Sequence, residues 1–424
     1  MKTPTLAELY VIAKELQIPS YRKYKKDALM ARIEEIKEEA AKLLPEPQTK
    51  VCGILELMPD GYGFLRDPDF VSRGNETYVS PVQIKRFCLK TGDEIQGIGR
   101  RQKETDKFRS LIFLTSVNGG AMDQVFKRKS FEALTPIFPC EPIRLESASN
   151  NYTMRLIDLI APIGKGQRAL IVAPPKAGKT VLLKNIAASI NATHGDSVKL
   201  MVLLIDERPE EVTDIQRSVH ADVLYSTFDE SPEHHTKIAE LALSRALRLV
   251  EYGQDVIILL DSLTRLTRAY NLSMPATGKI LSGGLDSAAF YKPKKFFGAA
   301  RNIENGGSLT ILATALTDTG SRMDDLIYEE FKGTGNCEIH LDRRLSEKRI
   351  FPAIDINKSG TRREELLMPP EKLTAMVSLR RELNAMASGH TEMTEYILNM
   401  LVSTKTNDEF VEKVNQSFYK RSKR

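Results

Sequence analysis

Tryptophan is absent, and phenylalanine and tyrosine bring the aromatic share to only 7% of 424 residues. Any tight cluster of rings therefore stands out. Cysteine is scarce too: Cys52, Cys88, Cys140 and Cys337 are scattered, with no C-x-x-C pair. That spacing argues against a zinc ribbon or a disulfide framework and suits a reducing compartment. Long apolar runs are missing as well. The longest aliphatic stretches, Leu200 to Ile205 and Val256 to Leu260, are far too short to cross a bilayer, and MKTPTLAELY at the amino terminus has no apolar segment of signal-peptide length. These absences predict a cytoplasmic protein. Charge of one sign does not dominate: the net charge of +5 permits an anionic partner without demanding one.

What is present is an ordinary globular balance, 42% hydrophobic and 28% charged, in a chain long enough for two or three domains. Residues 1–46 read as a helical region. Leu6, Leu9, Tyr10 and Ala13 fall at helical spacing, as do Leu29, Ile33, Ile36 and Ala40, and Pro45 and Pro47 then stop the pattern. Over 49–120, short β-type segments (51–57, 63–65, 77–79, 94–98, 110–114) alternate with turn residues, the rhythm of a small closed barrel. A connector at 121–150 carries Lys127-Arg-Lys129. From 151 to 424 the pattern becomes β-α-β, with strands expected at 169–173, 198–205, 223–226, 255–260 and 308–315. Helices are expected at 178–190 and 234–251, and the carboxyl-terminal part is helical. This alternation predicts a mostly parallel sheet with helices on both faces.

The strongest motif is Ala173-Pro-Pro-Lys-Ala-Gly-Lys-Thr180, directly after the apolar run Ala169-Leu-Ile-Val172 and before a helical stretch. Backbone N–H groups at a helix amino terminus wrap a polyphosphate; Lys179 reaches its terminal groups and the Thr180 hydroxyl ligates Mg²⁺. Ala173 stands where the strict pattern has glycine. Two acidic strand ends complete the site. Val256-Ile-Ile-Leu-Leu260 runs into Asp261, a carboxylate placed to orient hydrated Mg²⁺. Leu200 to Ile205 runs into Asp206-Glu-Arg-Pro-Glu-Glu211, where Glu207 is the candidate general base. By itself it reads as a solvated loop carboxylate, but parallel strand ends converge on one crevice. Thr314 to Thr317 are placed to sense the γ-phosphate. His234-His235, just after the helix start at Ser231-Pro232, reads as a solvated first turn.

Asp60-Gly-Tyr-Gly-Phe-Leu-Arg66 lies in the expected barrel. Tyr62 and Phe64 are two apart on a strand and share a face; Gly61 and Gly63 leave them unshielded, Leu65 lies between, and Arg66 is suited to a phosphate. The pattern serves barrel core and base-stacking platform equally, and its likeness to cold-shock-type barrels points to binding. Tyr78 and Phe108 are further candidates for that surface. Two glycine-bearing loops, Gly278 to Asp286 and Thr319 to Asp324, each carry one cation, Lys279 or Arg322.

With APPKAGKT, LLIDERPEE, VIILLDSLTR, LSGGLD, FFGAARN and TKTND in hand, the chain resembles the bacterial transcription termination factor Rho family over nearly its full length. The resemblance implies a multidomain α/β chain: a small helical region, an OB-fold barrel and a RecA-type P-loop ATPase core. It implies a homohexameric ring that loads on pyrimidine-rich single-stranded RNA, hydrolyses ATP with Mg²⁺ while translocating, and releases RNA from RNA polymerase. Carried over by motif, Lys176, Ala177, Gly178, Lys179, Thr180 and Val181 contact ATP, with Gly164, Lys165, Gly166, Gln167, Arg168, Ala169 and Arg208. Arg362 matches an arginine finger acting on a neighbouring subunit, Arg349 assists, and Phe351 stacks the adenine. Glu76, Thr77 and Tyr78, with Asp106, Lys107 and Phe108, flank the RNA platform; Lys279 and Arg322 match channel loops. Two other readings stand beside this one. One is a nucleotide-gated RNA-binding protein with negligible turnover; the other is a secretion-type or rotary-type ATPase on the same core.

Overall fold

The computed structural model describes residues 9–10, 12–13, 16, 21–42, 49–68, 70, 74, 76–100, 108–120, 122–385 and 390–422. Near the amino end, the Lys26–Lys42 helix buries Leu29 and Ile33 against Leu9 and Ala13.

Five strands follow: β1 (Thr49–Leu57), β2 (Gly63–Arg66), β3 (Thr77–Val79), β4 (Glu94–Arg100) and β5 (Arg109–Val117). They close in the order β1-β2-β3-β5-β4, the five-stranded barrel expected from the turn rhythm. Period-two alternation sends Val51, Leu55, Leu65, Ile95 and Leu111 inward. Phe64, between Gly63 and Leu65, goes to the opposite face.

Nine strands form the second sheet: β6 (Pro136–Ile137), β7 (Arg168–Ala173), β8 (Val198–Glu207), β9 (Asp222–Thr227), β10 (Asp255–Asp261), β11 (Arg301–Ile303), β12 (Ser308–Leu316), β13 (Cys337–Leu341) and β14 (Ile354–Thr361). Its main path runs β14-β13-β7-β12-β10-β8-β9 and is parallel except at β14. In β10, Ile257 and Leu259 face one core while Val256, Ile258 and Leu260 face the other. Burial on both faces explains why these strands read as unbroken apolar runs. The pair β13–β14 escaped the sequence reading, because polar residues interrupt both segments.

Helices cover each face. On one side lie Tyr152–Ile160, Lys179–His194 and the carboxyl-terminal helices, whose Leu379, Ile397, Leu401 and Phe410 join the core. Fully buried Arg155 donates to the carbonyls of Leu401, Thr404 and Thr406 and to Asn407, which fastens the TKTND segment to that core. On the other side lie the Pro232–Glu251 and Leu263–Ser273 helices. The barrel docks on Pro232–Glu251. A Cβ on Gly92 would stand 2.5 Å from the Ser244 carbonyl carbon, Arg245 pairs with Glu94, and Arg128 is held by Asp93.

Candidate nucleotide and RNA sites

The Lys176-to-Thr180 loop leaves the carboxyl end of β7, and Gly178 caps the Lys179–His194 helix. Parallel pairing brings the ends of β8 and β10 to the same edge. Lys179 Nζ lies 2.6 Å from Asp261 Oδ1 and 3.3 Å from Glu207 Oε2. A bulge between Ile205 and Glu207 turns the strand so that Glu207 is buried, while Asp206 is held by Arg265 outside. Burial works against the Lys179 charge, but Asp261 and Glu207 outweigh it and hold its pKa above the ordinary lysine value. The Glu207 carboxyl is pushed up, first by burial and then by the Asp261 and Glu211 charges, with Lys179 opposing. The distances fit the direction at Glu207: the ammonium sits closer to Asp261 and leaves Glu207 beside a like charge.

Asp261 Oδ1 also accepts from the Thr314 hydroxyl at 2.8 Å, and Thr314 is fully buried. Of the Thr314-to-Thr317 run expected to sense the γ-phosphate, Thr314 gives its hydroxyl to the carboxylate behind the site, while Thr317 is partly exposed beyond the strand end. Asp261 Oδ2 is buried and has no hydrogen-bond partner. The Thr180 hydroxyl donates to Glu211 Oε2 at 3.2 Å. An orphaned carboxylate oxygen and a hydroxyl at the phosphate loop fit a hydrated divalent cation. No group of three acidic, histidine or cysteine side chains able to hold a metal occurs among the described residues, so such an ion would need phosphate oxygens for the rest of its shell. Glu211 had no assigned role in the sequence reading, although it stands within the DERPEE run.

Other expected ATP contacts divide between two edges of the sheet. Lys176, Val181 and Arg208 are exposed at the mouth beside buried Ala177. Ser346, in the short Arg343–Glu347 helix, donates to the Lys176 carbonyl, which places the 343–353 segment, with Arg349 and exposed Phe351, against the phosphate loop. The Gly164-to-Ala169 segment is elsewhere. It enters β7 at the opposite end, where Lys165 pairs with Asp255 at the start of β10 and Gln167 donates to Asn336. Its last two residues open β7, so strand residues 170–173 lie between it and the phosphate loop, roughly 13 Å at strand rise. Within one chain the two segments expected to contact ATP therefore stand toward opposite ends of β7. Arg362 shares this far edge: it follows β14, whose end pairs with Cys337, itself opposite Ala169.

On the barrel, Phe64 pairs across to Tyr78. Ring centroids are 5.7 Å apart for Tyr62 and Phe64, 5.7 Å for Tyr62 and Tyr78, and 4.8 Å for Phe64 and Phe108. Phe64 is nearly buried, and the three half-exposed rings around it form the accessible face. Arg66, expected beside a phosphate, is instead buried between Glu56 and Glu76, at 2.6 and 2.9 Å, with its guanidinium 5.3 Å from the Phe64 ring centroid. It braces the rings from behind. Leu65 and Thr77 are buried, Leu65 in the barrel core, so strand alternation turns Leu65 away from the platform. Asp106 and Lys107 lie outside the described residues.

The two cationic loops meet. Gly283 packs so closely on the Met323 backbone that a Cβ would stand 2.8 Å from its nitrogen, which puts the Lys279 and Arg322 loops side by side with both cations exposed. His235 is buried, with Nδ1 2.7 Å from the Ser226 hydroxyl. The first turn keeps Glu233 exposed and His234 half-exposed, as expected, but His235 is turned inward and pinned to the strand beside β8.

Residues 1–42 match the Rho termination factor N-terminal domain, and residues 51–123 the Rho termination factor RNA-binding domain. Residues 153–361 match the nucleotide-binding domain of the ATP synthase alpha/beta family. The chain is 53% identical to the transcription termination factor Rho of Aquifex aeolicus, covering 98% of this chain and 95% of that relative. It is 53% identical to the Bacillus subtilis factor, covering 97% and 95%, and 54% identical to the Escherichia coli factor, covering 86% and 88%. Among solved structures, an ATPase from the type III secretion system of pathogenic bacteria matches with a TM-score of 0.55 at 22% identity, over 67% of this chain and 86% of that one. That likeness is one of fold alone.

Proposed function

The chain belongs to the Rho termination factor family, an RNA-binding, ATP-dependent terminator of transcription, and we propose that Lys179, Asp261 and Glu207 cleave ATP while the Tyr62–Phe64 face holds RNA. It is an RNA-dependent ATPase and helicase. The observation that carries the assignment of roles is the Lys179 ammonium shared by two strand-end carboxylates at 2.6 and 3.3 Å.

Lys179 leaves that pairing to neutralise the terminal phosphates. Backbone N–H groups at the start of the Lys179–His194 helix hold the remaining phosphate oxygens. Glu207, kept basic enough by its raised pKa, orients a water and takes its proton. Thr180 and Asp261 Oδ2 would hold Mg²⁺, which supplies positive charge against the phosphates when bound. Phe351 stacks the adenine beside Arg349, and Arg208 reaches in from the mouth. Arg362 and the Gly164-to-Ala169 segment serve the site of a neighbouring copy in a homohexameric ring, because their edge of the sheet faces away from their own phosphate loop.

Tyr62, Tyr78 and Phe108 stack small, unstacked pyrimidine bases, with Phe64 beneath them, and Lys279 and Arg322 track the phosphate backbone inside the ring. Residues 1–46, 49–120, 121–150 and 151–424 act as helical region, RNA-binding barrel, connector and motor. The motor pulls RNA from the polymerase elongation complex in the cytoplasm. No helix among the described residues is long and apolar enough to cross a membrane. ATP turnover measured with and without pyrimidine-rich RNA tests the assignment: the expected result is a sharp rise on adding RNA, and turnover indifferent to RNA defeats it. RNA affinity should also fall with added salt, since phosphate contacts release counterions.

A further inference from the structure

We propose that Lys237, a residue of the ATPase domain, is a positioning residue of the RNA platform, acting through the buried Glu56 carboxylate on Arg66. This rests on the reading of the Tyr62–Phe64 face as the site where bases stack.

Glu56 is only 6% exposed, and each of its oxygens takes a cation from a different part of the molecule. Oε2 receives Arg66 Nε at 2.6 Å, from within the barrel. Oε1 receives Lys237 Nζ at 2.7 Å, from the Pro232–Glu251 helix. Arg66 in turn backs the Phe64 ring at 5.3 Å. A buried carboxylate bridged on both oxygens presents little negative charge to a polyanion lying on the rings, and it holds the guanidinium in one place. Without Lys237, Oε1 loses its cation directly beneath a surface that must accept phosphates.

The placement of Lys237 also matters. The Pro232–Glu251 helix that carries it is pinned to β9 through His235 and Ser226, and β9 pairs with the strand that ends in Glu207. Farther along, the same helix packs on Gly92 and pairs with Glu94. One rigid element thus touches the floor of the RNA platform, the barrel rim and the strand that carries the general base. A helix seated differently would change the support of Arg66.

The test measures binding of a short oligocytidylate to the full-length protein at low and high salt, for Lys237→Met, Lys237→Arg, Glu56→Gln and the double variant Lys237→Met/Glu56→Gln. Lys237→Met should weaken binding roughly two- to fivefold at low salt, the scale of a partly exposed ion pair, and less at high salt. Lys237→Arg should restore it. In the Glu56→Gln background, Lys237→Met should have no further effect, because the carboxylate it serves is gone. Unchanged binding by Lys237→Met at low salt overturns the proposal, as does an equal loss in both backgrounds. Tyr62→Ala separates the two levels: if it binds as well as the parent, the platform reading itself fails, whereas weak binding by Tyr62→Ala beside normal binding by Lys237→Met defeats only the role of Lys237.

Discussion

Lys179 and Asp261 form a 2.6 Å ion pair in which the carboxylate keeps its second oxygen buried and without a hydrogen-bond partner. Under the proposed roles, the pair stores the phosphate-binding cation on the carboxylate that would hold the metal. Loading ATP therefore exchanges one set of charges for another in a site already shaped for them.

Lys179→Ala should reduce RNA-stimulated turnover by at least about a hundredfold, the loss typical when a charge stabilising the transition state is removed. It should also lower nucleotide-free stability by about 1–3 kcal/mol, because Asp261 remains buried without its cation. Steady-state turnover and thermal melting check both. An alanine variant that still releases transcripts at the parental rate would remove the site from the mechanism.

Glu207→Gln should keep ATP binding while turnover drops by roughly a hundred- to ten-thousandfold. Equilibrium nucleotide binding alongside turnover separates loss of the base from loss of the pocket. Parental turnover in this variant points to a pure binder.

With Glu207 as the proposed base, its raised pKa should set the acid limb of kcat/KM for ATP. The base must be deprotonated, so activity should fall on acidification at a pH above 4.5, the ordinary glutamate value. For folding the sign is opposite. A carboxyl whose pKa is higher folded than unfolded favours the fold as pH drops through the folded value and costs stability above it. Glu207→Gln should therefore melt higher than the parent near neutral pH, with the gain shrinking in acid; a pH-independent difference contradicts this environment.

Arg362→Ala should cost about a thousandfold or more in turnover. Mixed with Glu207→Gln subunits it should regain activity, since some interfaces then join an intact base to an intact arginine. Mixtures as inactive as either parent variant would place the finger elsewhere.

Gly92→Ala should loosen the barrel from the Pro232–Glu251 helix. The residue has φ +92° and its Cβ would collide with the backbone at Ser244. A loss of roughly 1–3 kcal/mol is expected, read as a lower melting point and faster proteolysis of the connector. A variant as stable as the parent would mean that the docking seen here is loose.

Much of this was legible in the linear chain because the signals are local. Phosphate-loop spacing, apolar runs ending in Asp261 and Glu207, and the turn rhythm of the barrel depend on neighbours a few residues apart, and backbone periodicity converts them directly into strand ends and faces. The split of the expected ATP contacts was not legible. Gly164 to Ala169 and Lys176 to Val181 are close in sequence, yet β7 runs from the one to the other and carries them toward opposite strand ends.

Sequence alone determined the motor's chemistry and the order of its parts, since a polyphosphate loop and two strand-end acids need only the right residues after the right strands. Tertiary structure alone decided which charges are already spoken for. Arg66 is clamped by Glu56 and Glu76, Thr314 by Asp261, and Glu56 by Lys237 from 181 positions away. Those pairings follow from strand register and from the docking of one domain on another, and electrostatics acts through space, not along the chain.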